Sequence, residues 1–279
     1  MSFLSGVILC LRGALVGFGA ILPGISGGAL CAAFGMYKPI MELLAHPIKT
    51  LKKDWLRLLL FVIGVGIGFV GLAGLTGDLM EKYEQEMTCL FVGFVLGTVP
   101  GLWRDAGKTG RSKSSYASLG IAFVVLTAIL LTVRIVSGGV QLAQDFWGFL
   151  LCGVLWGLSM IVPGLSSSTL ILFFGLYEAM LLGIKTLSFS VLLPLGLGIV
   201  ACILVFPKAV NAALDKWPSQ IGHAIVGVVL ASTIVVVPEG IFASTGALLV
   251  GLAYIIVGFV FSFIGDKWCA KLEERSGGR

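Results

Sequence analysis

Two stretches of this 279-residue chain carry residue types that could hold a ligand: Pro23-Gly24-Ile25-Ser26-Gly27-Gly28 and Pro163-Gly164-Leu165-Ser166-Ser167-Ser168-Thr169. Each lies in an uncharged window, Gly13 to Tyr37 and Phe146 to Tyr177, that would otherwise read as membrane helix. Proline lacks an amide donor and clashes one turn back, and the glycines leave helical angles cheaply, so a break is expected in both. In hydrocarbon, a broken backbone persists only where it is buried in protein or lines a wet cavity. A helix that restarts after each Pro-Gly offers free amides and roughly half a positive charge at its N-terminus. Ser26 and Ser166 stand where an N-cap would, Gly24, Gly27, Gly28 and Gly164 leave bare backbone, and Ser167, Ser168 and Thr169 add hydroxyls. This is chemistry for a phosphate or carboxylate. One such motif could merely cap a helix and ease close packing; two at matched positions favour the anion site.

Few charges share the apolar windows. Arg12 precedes the first break by about three helical turns, and Arg134 ends an apolar window near the opposite face. An arginine fork suits phosphate, while the alternatives are a snorkelling side chain for Arg12 and an interfacial anchor for Arg134. Glu42 and Glu178 are the carboxylates placed for proton coupling, although the headgroup zone would also accommodate them. Neither break has a His/Asp/Glu constellation nearby, His46 and His223 are isolated, and the six cysteines show no metal spacing. We therefore expect no catalytic residues, no metal and no cofactor. The cysteines read as small packing residues.

The elements that must position these residues are membrane helices. Hydrophobic residues make up 58% of the chain and charged ones 12%, with mean hydropathy +1.06, which leaves no room for a soluble domain. No nucleic-acid partner is expected, because the net charge of +5 is a topology signal: fourteen of the 19 Lys/Arg fall in segments around 45–57, 104–116, 208–216 and the tail. The positive-inside rule puts those segments and both termini in the cytoplasm, and the acidic 77–86 loop outside. Trp55, Trp103, Trp147, Trp217 and Trp268 lie near window ends, as an interfacial belt would.

The chain also repeats itself. Pro23-Gly24-Ile25-Ser26 returns as Pro163-Gly164-Leu165-Ser166, and Gly13, Gly17, Gly35 and Tyr37 return as Gly153, Gly157, Gly175 and Tyr177. Gly64-Val65-Gly66 is matched to Gly196-Leu197-Gly198, and Val92-Gly93 with Leu96 to Val226-Gly227 with Leu230. The expected fold is all-α and polytopic, with two inverted-topology repeats, 1–136 and 146–265, and a cytoplasmic tail over 266–279. Each repeat is a Pro-Gly-broken hairpin, either re-entrant or spanning, plus three crossings. Such repeats with broken helices mark transporter binding sites, and the arrangement would bring Ser26 and Ser166 to one central site.

These duplicated motifs, with Gly35-Met36-Tyr37 and Gly175-Leu176-Tyr177-Glu178 after them, resemble the PopT-like polyprenyl-phosphate transporter family, formerly a domain of unknown function, over essentially the whole chain. The resemblance implies a translocase that recycles undecaprenyl (polyprenyl) phosphate across the bacterial or archaeal cytoplasmic membrane for cell-envelope synthesis, working by alternating access. This chain has Ala20, Ala29, Lys38 and Ser167 where family members commonly have an acid or amide, Thr, Glu and Gly. Anion binding therefore carries over more directly than proton coupling, which in the first half rests on Glu42 alone. The alternatives are a carrier for a small soluble anion and an intramembrane phosphatase or transferase. Nothing in the sequence specifies an oligomer.

Overall fold

The computed structural model describes residues 3–22, 30, 34, 36, 39, 47–137, 142–161 and 167–277. Among them the order is α1 (Phe3–Ile21), α2 (Pro47–Lys82), α3 (Glu84–Ala106), α4 (Lys113–Ser137), α5 (Phe146–Ile161), α6 (Ser167–Phe173), α7 (Tyr177–Lys185), α8 (Phe189–Val205), α9 (Pro207–Lys216), α10 (Pro218–Val236), a 3-10 turn at Glu239–Phe242, and α11 (Thr245–Gly277). The chain is an all-helical polytopic membrane protein. Five segments are long and apolar enough to cross a bilayer: Asp54–Lys82, Glu84–Ala106, Lys113–Thr132, Pro218–Val236 and Thr245–Trp268. α8, at 17 residues, sits at the lower limit of a span.

Helix α2 combines two pieces. Asp54 leaves helical angles (φ −127°, ψ 23°), so the lysine-bearing turns from Pro47 to Lys53 are set off from the apolar run beyond. The second hairpin is asymmetric. α5 has 16 residues and α6 only 7, about 10 Å of helix, too short to cross alone. Gly175 then takes φ +67°, in the left-handed region open to glycine, and α7 departs from α6 at 111°. The 32-residue uncharged window of the sequence is thus cut at Gly175.

The helices pack chiefly in four parallel pairs: α1 with α2, α5 with α8, α3 with α11, and α4 with α10. Without a hydrophobic drive between helices in lipid, close backbone approach supplies the packing energy, and glycine permits it. A β-carbon placed on Gly13 would lie 2.2 Å from the Phe61 carbonyl oxygen, and one on Gly153 2.1 Å from that of Leu195. Gly64 meets the Cys10 oxygen at 2.1 Å, and Gly198 the Leu150 oxygen at 2.2 Å. This equivalence corrects the register read from the sequence, in which Gly64 was matched to Gly196. The packed glycine in the second half is Gly198, two residues later, whereas Gly66 and Gly196 face open space.

The remaining pairs repeat the pattern with partners exchanged. Gly93 of α3 abuts Ile255 and Phe259 of α11, and Gly227 of α10 abuts Leu119 and Phe123 of α4. α3 and α10, which carry the matched Val-Gly pairs, cross in opposite senses, with Gly222 near the start of α10 against Ala106 at the end of α3. The largest buried cluster draws on both halves: Ile21, Leu72, Met80 and Phe91 with Trp156, Tyr177, Met180 and Leu181. Exposed Trp55, Trp147, Trp217 and Trp268 fit an interfacial belt, whereas Trp103 is partly buried against His223.

Candidate functional site

Six of the residues expected to hold substrate, namely Gly24, Ser26, Gly27, Gly28, Gly164 and Ser166, lie outside the described residues, as does Glu42. What is described is the end of α1 before the first motif and the helices on both sides of the second. α1 ends at Ile21, with Ile21 and Leu22 buried in the cluster shared by both halves. α5 ends at Ile161 and α6 starts at Ser167.

Ser167, Ser168 and Thr169 form the first turn of α6 and are all buried, at 3%, 4% and 3% exposure. Three consecutive buried hydroxyls in an apolar chain need partners. The Ser167 hydroxyl donates to Ser159 Oγ of α5 at 3.1 Å, stitching α6 to α5, and Ser159 in turn donates to the Trp156 carbonyl at 2.8 Å. α6 also packs against α10. This hydroxyl-rich turn therefore sits inside the protein between two hairpin arms and a helix of the same half.

The other expected residues are not gathered with it. Arg12 is on an exposed face of α1. The backbone of Arg134 belongs to the last turn of α4, and its side chain lies outside the described residues. Glu178 opens α7, exposed, close to Glu84 and Glu81 at the acidic end of α2 and α3. On the same face Lys185 of α7 pairs with Asp78 of α2, joining the halves. With side chains 41% and 62% exposed, that pair contributes about 0–1 kcal/mol and is an alignment contact more than a clamp.

A fully buried bond joins the halves at the end of α1. The fully buried Tyr177 hydroxyl donates to the Ile21 carbonyl oxygen at 2.8 Å, and its ring meets Phe91 edge-on at 5.7 Å. Ile21 is the last residue of α1, where helix carbonyls lose their intrahelical partners. The tyrosine that follows the second motif thus satisfies the broken end of the first. Tyr177→Phe keeps the ring packing but leaves a buried carbonyl unpaired, so we expect a loss of about 1–3 kcal/mol. Thermal unfolding in detergent checks this, and an unchanged Tm would show that the bond is not needed.

Sequence reasoning missed a second polar cluster. His223 of α10 is fully buried, held by Trp103 of α3 and Tyr116 of α4, with ring centroids 5.2 and 5.8 Å away. Its Nδ1 lies 2.7 Å from the Ser219 carbonyl oxygen, and Nε2 has no partner. Ser219 donates to the Gly110 carbonyl at 2.6 Å and shares a 2.7 Å hydroxyl contact with Ser115. The available signal was Ser219 four residues before His223, one helical turn on the same face. Among the described residues no three His, Cys, Asp or Glu side chains converge on a metal-sized site.

Comparison with known proteins shows the family. A family model described as undecaprenyl phosphate translocase-like matches residues 3–118 and 49–247. A polyprenyl-phosphate transporter of Staphylococcus aureus is 24% identical over 279 residues, covering 94% of this chain and 97% of the relative. A polyprenyl-phosphate transporter of Vibrio cholerae is 24% identical over 221 residues, covering 74% of this chain and 70% of the relative. No solved structure matches.

Proposed function

We propose that this chain, which belongs to the undecaprenyl phosphate translocase-like family, moves polyprenyl phosphate across the cytoplasmic membrane by alternating access. Residues 1–136 and 146–265 act as inverted repeats, with both termini and the 266–279 tail in the cytoplasm. The phosphate is held by amides and hydroxyls at the two breaks: Gly24, Ser26, Gly27 and Gly28 from one half, and Gly164, Ser166, Ser167, Ser168 and Thr169 from the other. Arg12 and Arg134 assist, and Glu42 or Glu178 carries the coupling proton.

The observation that carries this reading is the pairing of glycine seams. Gly13 on Phe61 and Gly64 on Cys10 have counterparts in Gly153 on Leu195 and Gly198 on Leu150, and the matched helices α3 and α10 run in opposite senses. Two halves packed alike but opposed can exchange conformations and so open one site to each side in turn. The buried hydroxyls of α6 support the anion site, and the two polyprenyl-phosphate transporters that the chain resembles support the lipid substrate. A flux assay in proteoliposomes, with polyprenyl phosphate and inorganic phosphate followed separately in each leaflet, tests it. Movement of inorganic phosphate alone would replace the lipid reading with a soluble-anion carrier.

The orientation has its own test. On a background with all native cysteines replaced, Glu84→Cys is expected to react with an impermeant thiol reagent from outside, and Lys113→Cys only from the cytoplasm. Labelling of both from one side would overturn the inverted arrangement.

A further inference from the structure

Two surface clefts sit at equivalent places in the repeat and at opposite ends of the bundle. One, of about 310 Å³, lies between α3 and α11 and includes Glu86 and Val250; the other, of about 410 Å³, lies between α4 and α10 and includes Gln220 and Ser114. The register that matches Gly93 to Gly227 puts Glu86 opposite Gln220, and the one that matches Ile255 to Leu119 puts Val250 opposite Ser114. The clefts are therefore counterparts that differ in chemistry.

The α4/α10 cleft is oily along its length, with the Ser114 and Gln220 side chains at one end. Gln220 donates to the Ser114 hydroxyl across it at 3.2 Å, and Ser118 donates to the Ser114 carbonyl at 2.7 Å. Ile121 and Trp217 flank it, 64% and 48% exposed, on an α4 face whose apolar side chains Val124 and Val125 are exposed too. Lys216, with its ammonium 4.5 Å over the Trp217 ring, and Lys113, the first residue of α4, adjoin the lining residues Trp217 and Ser114 along the chain. Both are exposed, and among the described residues neither has an acid within ion-pair distance. At the counterpart, Glu86 supplies negative charge.

We infer that the α4/α10 cleft binds an anionic phospholipid. Its phosphodiester is held between Lys113 and Lys216 and the Ser114/Gln220 pair, and its first methylenes lie along Ile121 and Trp217. A lipid-facing groove at headgroup depth is filled by lipid in any case, and basic clefts between membrane helices select anionic headgroups. The counterpart cleft, with Glu86 where this one has Gln220, repels the same headgroup. The inference holds whichever way the transported substrate moves.

The test uses the full chain in nanodiscs of mixed phosphatidylglycerol and phosphatidylcholine, with a photoreactive residue at Ala117 and crosslinked lipid identified by mass spectrometry. Phosphatidylglycerol is expected to be captured well above its mole fraction, and less so at high salt. Removing both charges, Lys113→Gln with Lys216→Gln, should lower that enrichment at least about fivefold, on a scale of about fivefold per lysine near a charged surface. Gln220→Glu should do the same, and Glu86→Gln should change nothing at Ala117. The lysines are exposed, so their replacement tests the site even if Gln220→Glu misfolds. Capture at the bulk lipid ratio, capture indifferent to the lysines, capture of a second copy of this chain, or displacement by an equimolar amount of polyprenyl phosphate would each overturn the inference.

Discussion

Gly153→Ala is expected to unfold the protein at markedly lower temperature, although it adds a single methyl and improves helix propensity. The new β-carbon would sit 2.1 Å from the Leu195 carbonyl oxygen and 3.0 Å from the Gly198 α-carbon. Both obstacles are backbone, so the seam between α5 and α8 must spread along its length. Overpacking of this kind costs about 1–3 kcal/mol and sometimes more, which exceeds the gain of about 1 kcal/mol from replacing a helical glycine. Gly13→Ala should behave alike, since its β-carbon meets the Phe61 oxygen at 2.2 Å. Gly196→Ala and Gly66→Ala are the controls. With nothing within 4 Å of the added carbon, only the propensity gain remains, so Tm should hold or rise. Heating in detergent followed by size-exclusion chromatography reads all four. Equal shifts at packed and open glycines would mean that the seams carry no packing energy.

That contrast marks what the sequence could and could not specify. The four glycines of the Gly64/Gly66 and Gly196/Gly198 pairs are identical as letters. Only the helix phase against α1 and α5 decides that Gly64 and Gly198 are packed while Gly66 and Gly196 face open space, so a match by letter slips two residues. The crossings were legible because apolar runs bounded by charge leave little else to form in a bilayer. The second arm was less so. Gly175 stands in an uncharged run, and nothing in hydropathy distinguishes a left-handed glycine that turns the chain by 111° from one that continues a helix. Contacts between distant segments were the least legible. Tyr177 on Ile21 and His223 between Trp103 and Tyr116 join residues that share no local pattern, and each is defined only once three helices meet.

Ser166→Asp is expected to abolish transport of polyprenyl phosphate, whereas Ser166→Ala weakens it moderately. The proposed site holds the phosphate with uncharged donors, because fixed charges at that depth are costly unless paired and hydrogen-bonded. The frame agrees in kind. The first turn of α6, directly after Ser166, offers three buried hydroxyls, and no Lys or Arg occurs in the uncharged stretch from Phe146 to Tyr177 around it. Loss of one cap-type hydroxyl from such a set costs about 0.5–2 kcal/mol of binding, and so leaves a weakened transporter. A carboxylate has the opposite effect on the same geometry. It accepts the amide donors itself, fills the anion position and repels the incoming phosphate in a medium that screens poorly. Ser168→Asp should act likewise from within the turn, and Ser26→Asp from the other half. Each variant is compared in proteoliposomes at matched levels of folded protein, since an aspartate that blocks insertion would mimic lost function. If the folded Asp variants move the lipid as fast as the parent, the broken helices serve packing alone and the phosphate travels by another route.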